Sequence, residues 1–358
     1  MHKGVRENRM KSQQIINYGK PLSPAKTEKP VPSGTQVLVS VNSCGVCHSD
    51  LHLQDGFFEL GNERKLDTTS RRTLPFTLGH EIQGIVDSMG PDVSELDIGQ
   101  ECVVFPWIGC GNCQHCARGL ENQCPRNLSL GTAVNGGFSE FVLVPHPKYI
   151  LDASTIPNEL AGIYMCSGLT AYSALKKVGE IPKGEKILII GLGGVGIMGL
   201  QIARALHGDA IIVADISEEK RDAAVKLGAK EVYDPYTENI DRTIKKSTNG
   251  GVYAAIDFVG SEQSATFSRK ILQNGGKLIL VGLLGGSMEV QLPLLTLQGH
   301  SIVGSITGTL DEAKELLALA KEGAILPIPI ESRPLEQANS ALDDLRDGNV
   351  TGRIVLKP

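Results

Sequence analysis

The chain has 358 residues, enough for two domains with separate cores, and a formal net charge of −5 without any basic run. Those features leave no argument for nucleic acid or an anionic membrane as a partner. No apolar stretch reaches the length of a membrane span, and the opening MHKGVRENRM has no apolar segment behind it, so it does not read as a secretory signal. The expected location is cytoplasmic. Eight cysteines in such a chain point to reduced thiols and metal rather than disulfides.

Residues 1–9 read as a frayed tail or a start-site extension, since Met10 stands before the first strand-like run, QQIINYG. Short strands broken by Gly and Pro follow: TQVLVSVNSCG, IQGIVDSMG, ECVVFP and FSEFVLVP. Between the first two of these lies SCGVCHSDLH, residues 43–52, which brings Cys44, Cys47, His48, Ser49, Asp50 and His52 together. By itself it is compatible with a redox pair, one end of a zinc finger, or half of a catalytic metal site. The stretch DGFFELGNERKLDTTSRRTLP, residues 55–75, reads as a charged inserted loop. Its Lys65, Arg71 and Arg72 could meet an anionic substrate, but a solvated loop or a subunit contact is the favoured expectation. LPFTLGHEIQGIV then offers His80 and Glu81 just ahead of a strand. Trp107, the only tryptophan, stands three residues before CGNCQHCARGLENQC, which spaces Cys110, Cys113, Cys116 and Cys124 as C-x2-C-x2-C-x7-C. Four thiolates on one short lobe suit a closed, tetrahedral structural zinc. An iron–sulfur cluster shares the first two gaps and the final Cys-Pro, but its last gap is three residues and a second run would be expected.

From about residue 168 strands alternate with helices: KILIIG, AIIVAD, YAAIDFVG, GKLILVG and HSIVGSI are strands, and SEEKRDAAVKLG is a helix. This alternation predicts βαβ units and a parallel sheet, with HSIVGSI as an edge strand open to dimer pairing. GLGGVG, Gly191 to Gly196, fits GxGxxG between a strand and a helix in which Val195, Met198, Ile202 and Leu206 recur at helical spacing. Gly191 permits the tight turn, Gly193 lets backbone N–H groups approach a pyrophosphate, with Gly194 and Val195 opening the helix, and Gly196 allows close packing. Asp215 follows 24 residues after Gly191, where a carboxylate accepts from an adenosine ribose. Ile216 and Ser217 come next, with no arginine for a 2′-phosphate, which favours NAD over NADP. Two helices, LDEAKELLALAKEG and PLEQANSALDDLRDG, and a final strand, GRIVLKP, complete the chain.

GVCHSDLH, LPFTLGHEIQG, the four-cysteine lobe, GLGGVG with Asp215, and the terminal GRIVL together resemble the zinc-dependent medium-chain alcohol dehydrogenases, most closely the tetrameric bacterial and archaeal members. The resemblance implies an α/β fold: a GroES-like β-rich catalytic domain over residues 1–167 and 308–358, interrupted by a Rossmann doubly wound sheet over 168–307. It implies two zinc ions per chain. Cys47, His80 and Cys166 would hold the catalytic ion, with water, substrate or transiently Glu81 in the fourth place, and the lobe would hold the structural one. Cys44 matches no ligand position and reads as a packing residue. Asp50 would orient His80. Ser49 would take the alcohol proton and pass it through the nicotinamide ribose to His52. His48 and Arg353 would face the cofactor phosphates, Lys220 would help Asp215 hold the ribose, and Trp107 would line the substrate pocket.

The implied reaction is reversible hydride transfer between a primary or secondary alcohol and NAD, giving aldehyde or ketone, with zinc as Lewis acid. Rival expectations are a polyol or hydroxyacyl-thioester dehydrogenase on the same scaffold, or a non-catalytic sensor that binds NAD and zinc. The implied assembly is a homotetramer or a dimer.

Overall fold

Strands Val37–Gly45 and Glu81–Met89 run antiparallel through the middle of the first sheet, paired from Val37 opposite Met89 to Gly45 opposite Glu81. The computed structural model describes residues 9–358, so expectations about residues 1–8 lie outside it. Strand order in this seven-stranded sheet is Ile150–Asp152, Glu101–Val104, Glu81–Met89, Val37–Gly45, Arg353–Lys357, Ile330–Pro334, with Phe141–Val144 also pairing to Val37–Gly45. The last strand of the chain therefore lies beside the third, placing Leu356 opposite Cys44. Ser23–Glu28, Arg9–Ile15 and Phe76–Thr77 make a three-stranded companion. Its central strand includes Arg9, opposite Glu28, so Arg9 belongs to the sheet and not to a tail.

The second sheet is parallel throughout. Its strands, in chain order, are Ile187–Ile190, Ile211–Ala214, Glu231–Tyr233, Val252–Asp257, Leu272–Leu280 and Ser301–Gly304, and their spatial order is 3-2-1-4-5-6. That is the doubly wound dinucleotide-binding order. Ile187–Ile190 is apolar at every position because both faces are covered. Ile187 and Ile189 face the larger core shared with Val213, Ile256 and Ile279, while Leu188 and Ile190 face the core of Ile212, Ala255 and Leu278. Ser301–Gly304 is the exposed edge. Helices Gly194–His207, Glu218–Lys226, Ile240–Ser247, Glu262–Lys270 and Leu292–Gln298 complete the unit.

Two elements shape the site directly. The helical run Asn158–Ile163 and Leu169–Val178 is interrupted at Tyr164–Gly168 by a widened π turn, which carries Cys166. Residues 55–75 do not form the expected loop. Phe57–Gly61 and Arg64–Asp67 pair as an antiparallel hairpin, with Phe58 opposite Leu66 and Glu59 opposite Lys65. Asn62 and Glu63 both take positive φ (52° and 60°), the conformation of the tight hairpin turn whose twist matches its strands. Lys65 bridges to Glu59 at 3.2 Å and lies 3.6 Å from the Phe57 ring, while Arg64–Asp67 stays exposed, so the segment is ordered as a hairpin but still solvated.

Candidate active site

The helix His48–Asp55 begins where strand Val37–Gly45 ends, and Cys47 is its N-cap. Asp50, in the first turn, accepts the Cys47 backbone N–H at 2.9 Å with one oxygen and sets the other 3.3 Å from His80 Nδ1. Both side chains are fully buried. Cys166 on the π turn completes the group, its Sγ 4.0 Å from that of Cys47. One donor atom each of Cys47, His80, Glu81 and Cys166 lies within 4.8 Å of all the others. His80 Nε2 is buried and has no hydrogen-bond partner, an orphan that would be costly in a closed core. Two thiols, one imidazole and one carboxylate converging on a buried point fit a zinc-sized cation of borderline softness.

Electrostatics fit such an occupant. Hydrogen bonding with Cys166 pushes the Cys47 thiol well below its ordinary range against the cost of burial, with His80 adding to the effect. Burial, the largest effect, favours neutral His80, but the Asp50 carboxylate and Cys47 together outweigh it and draw His80 upward. Glu81 is raised to about 7 by burial, offset in part by Arg353, whose guanidinium donates to Oε2 at 2.5 Å. Gly45 is required opposite that carboxylate, because any Cβ there would overlap Glu81 Oε2.

Cys44, three residues before Cys47, stands apart from this group. It is buried, and its Sγ is among the nearest atoms that a Cβ at Gly79 or Gly137 would meet. Trp107 is 9 % exposed, donates its indole N–H to the Met165 carbonyl at 2.8 Å, and has its ring 5.4 Å from His80. It is thus anchored in the core and adjacent to the donor cluster at once. Ser49 and His52 are three residues apart on the helix and so share a face, while Asp50 points into the core. His48 lies at the exposed start of the same helix. His52 is half-buried, with the Phe58 ring of the hairpin tilted against it.

The glycine turn closes between the first parallel strand and helix Gly194–His207. Gly191 has φ 86°, and a Cβ at Gly196 would overlap its carbonyl oxygen. Asp215 accepts the backbone N–H groups of Leu192 at 2.6 Å and Ser217 at 2.8 Å, which pins its carboxylate beside the turn. Lys220 lies half-buried one helical turn beyond. Arg221, which the sequence reading passed over, donates to the Asp215 carbonyl at 2.7 Å and pairs with Asp234 at 3.4 Å, so it is held by the fold. Arg353 packs directly under Gly194, whose Cβ would meet its side chain at 2.5 Å. One guanidinium therefore links the glycine turn to Glu81 in the donor cluster. Asp257 was also missed. Buried at the end of the fourth parallel strand, it accepts from the N–H groups of Val259 and Gly260 and from Ser264 Oγ, holding Val259 against Gly191. Its only sequence signal is an aspartate ending an apolar strand.

Cys110, Cys113, Cys116 and Cys124 also converge, their sulfurs within 4.8 Å of one another. Cys110 is pushed down to about 6, chiefly by the backbone of Asn112. Glu121 ties the lobe to the body of the protein, accepting from Gly109 N–H at 3.1 Å, Lys148 at 2.7 Å and Tyr149 Oη at 2.5 Å. Of the three basic side chains weighed for an anionic substrate, Lys65 pairs with Glu59 and Arg72 donates to Thr132 and Thr68 carbonyls at 2.8 and 3.0 Å. Arg71 is exposed.

Residues 33–155 match the family model described as alcohol dehydrogenase GroES-like domain, and residues 194–322 match the zinc-binding dehydrogenase model. The NAD-dependent alcohol dehydrogenase of Sulfurisphaera tokodaii is 36 % identical over 350 residues, covering 98 % of this chain and 100 % of that protein. An alcohol dehydrogenase of Geobacillus stearothermophilus is 34 % identical over 350 residues, covering 97 % and 99 %. The crystal structure of the alcohol dehydrogenase from Aeropyrum pernix superposes with a TM-score of 0.87 at 30 % identity, covering 97 % of this chain and all of that one. With the cysteine–histidine cluster facing a doubly wound sheet, these similarities make the chain a member of the zinc-type medium-chain alcohol dehydrogenase family.

Proposed function

We propose that this protein oxidises an alcohol to an aldehyde or ketone with NAD, reversibly, across the cleft between a catalytic domain (residues 1–167 and 308–358) and a cofactor domain (168–307). The observation that carries the reading is Arg353, buried and bound to Glu81 on one side while packed under Gly194 on the other. It puts the metal-type cluster and the dinucleotide turn within one side chain of each other. Cys47, His80 and Cys166 would hold one zinc ion, and the four-cysteine lobe a second. Zinc, when bound, supplies a Lewis acid that lowers the cost of negative charge on a substrate oxygen.

The chain's own residues supply the rest. Asp50 keeps the His80 ring oriented, and Trp107 closes the cluster against water from the lobe side. The turn Gly191–Gly196 and the N-terminus of helix Gly194–His207 offer N–H groups and partial positive charge to a pyrophosphate, with Arg353 as an adjacent cation and His48, which burial holds below its ordinary range, as a neutral hydrogen-bond donor. Asp215, held by two backbone donors, accepts from ribose hydroxyls with Lys220 beside it. A 2′-phosphate there would meet a like charge, and Arg221 is already engaged, which supports NAD over NADP. Ser49 receives the proton of the alcohol, and His52 on the same helix face passes it to solvent. A sensor without turnover has no use for that pair. Engagement of Lys65 and Arg72 within the fold weighs against a thioester with an anionic handle. The exposed edge strand Ser301–Gly304 supports dimer pairing, and two such dimers would make the tetramer. The cytoplasm is the compartment that eight unpaired thiols suit.

Absorbance at 340 nm with NAD or NADP and a panel of primary, secondary, cyclic, benzylic and CoA-linked alcohols tests the reading. The expected result is reduction of NAD by one of the simple alcohols, a strong preference over NADP, and a narrowed preference in Asp215→Gly. Equal efficiency with both cofactors refutes the role of Asp215, and binding of NAD without reduction by any member of the panel favours the sensor.

A further inference from the structure

The hairpin Phe57–Asp67 touches both halves of the molecule. At its base Phe58 lies on His52, ring centroids 4.7 Å apart and planes inclined by 36°. At its tip Gly61 meets the backbone of Gly286, where a Cβ would approach within 2.8 Å, and Asn62 Nδ2 donates to Ser287 Oγ at 3.1 Å. Gly285 closes on Glu59 in the same way. Residues 285–287 follow the fifth parallel strand, on the cofactor side of the sheet, so the hairpin is held in place from the cofactor domain rather than by its own strands alone. A two-stranded ribbon alone is marginal in water, which makes that docking necessary for a fixed ring position.

We propose that Phe58 is a positioning residue for proton release: the docked hairpin lays its ring over His52 and keeps the imidazole out of bulk water. The inference rests on the reading of His52 as the proton exit. Each turnover of alcohol oxidation transfers one hydride to NAD and releases one proton, and His52 accepts that proton only while neutral.

The groups around His52 pull in both directions. His48 lies one turn before it on the same helix, Cys47 caps that helix, and Asp55 follows, bound through both carboxylate oxygens to Arg346 at 2.8 and 2.9 Å. From the hairpin comes Glu59, already paired with Lys65. The acids favour the charged ring and Arg346 opposes it, but burial is the largest effect and lowers His52 below its ordinary range. A phenyl face can also favour an imidazolium through cation–π attraction. Replacing the ring by aliphatic and by small side chains separates cover from that attraction.

The test is an NMR titration of the zinc-loaded protein labelled at histidine Cε1, with His52→Gln identifying the resonance, beside the pH profile of kcat/KM for alcohol oxidation. In Phe58→Ala the His52 midpoint is expected to rise toward the ordinary imidazole range, and oxidation at a pH below both midpoints to slow in proportion to the lost neutral fraction. Phe58→Leu keeps the cover and is expected to titrate close to the unmodified protein. A purely structural role for Phe58 would leave both midpoints in place. An unchanged or lowered His52 midpoint in Phe58→Ala overturns the inference and leaves the relay standing. A raised His52 midpoint with an unmoved rate profile overturns the relay, and with it the part assigned to Phe58 in release.

Discussion

Cys44 and Cys47 occupy the same short motif and have opposite fates. Strand geometry turns Cys44 into the sheet core against Gly79, and the helix cap turns Cys47 toward His80 and Cys166. Cys47→Ala is expected to lose turnover and one equivalent of zinc, whereas Cys44→Ala keeps both and costs about 1 kcal/mol of stability from the small cavity left behind. Metal analysis beside activity and thermal melts checks this, and equal zinc loss in the two variants would contradict it. At this scale the donor residues were readable from sequence, because cysteine and histidine at ligand spacing are rare and family patterns tell one cysteine from its neighbour. Arg221, Asp257 and Glu121 were not. Each acts by hydrogen-bonding backbone or a distant side chain, and nothing in local spacing separates such a residue from an ordinary surface charge.

Among the elements, the parallel strands were the most legible, since a fully apolar run such as Ile187–Ile190 answers directly to burial on both faces. The hairpin was the least. Its strands hold two phenylalanines and two leucines among charges, and its turn uses Asn62–Glu63 rather than Asn-Gly, so the alternation is weak and the turn signal muted. Cys166 was expected as a ligand, but the π turn that carries it has no periodicity to mark it; such widened turns recur where a helix serves a functional site. The four-cysteine lobe contains only the short helix Gln114–Ala117 and a single 3₁₀ turn, Glu121–Gln123, so a zinc ion held by its four thiols would supply much of what fixes it beyond the Glu121 contacts. Cys113→Ser is therefore expected to release one zinc and lower the melting temperature by roughly 5–10 °C, corresponding to a loss of about 2–3 kcal/mol. A variant that melts like the unmodified protein and keeps both ions would show that the lobe does not depend on metal.

For the whole molecule, an edge strand and exposed leucines lie together along one side of the cofactor domain. Edge strand Ser301–Gly304 presents unpaired backbone groups, and the neighbouring helix Leu292–Gln298 exposes Leu292 at 70 % and Leu297 at 80 %. An uncovered edge beside exposed leucines is a site for association, and a second copy of the same edge satisfies both. Leu297→Glu is expected to shift the protein toward a smaller species in light scattering coupled to size-exclusion chromatography. An unchanged mass would place the subunit contact elsewhere.

The return of the chain to its first sheet has a consequence for how the protein comes to be folded. All six parallel strands lie within residues 187–304 and find their partners nearby in the chain. The catalytic sheet pairs Val37–Gly45 with Glu81–Met89 over similar spans, and it is the closure by its C-terminal strand that differs. Arg353 reaches Glu81 across 272 positions, and Asn339 reaches Leu22 across 317. Contacts of such span form slowly, because a long loop must close before they are rewarded. The cofactor domain should therefore acquire protected amides first, while Cys47, His80 and Cys166 still belong to an unfinished sheet. Pulse-labelled hydrogen exchange during refolding reads that order directly. Protection of Arg353–Lys357, which closes on Cys44 and Gly45, ahead of Ile187–Ile190 would reverse it. If the order holds, the donor cluster is assembled last, around a cofactor platform that is already built.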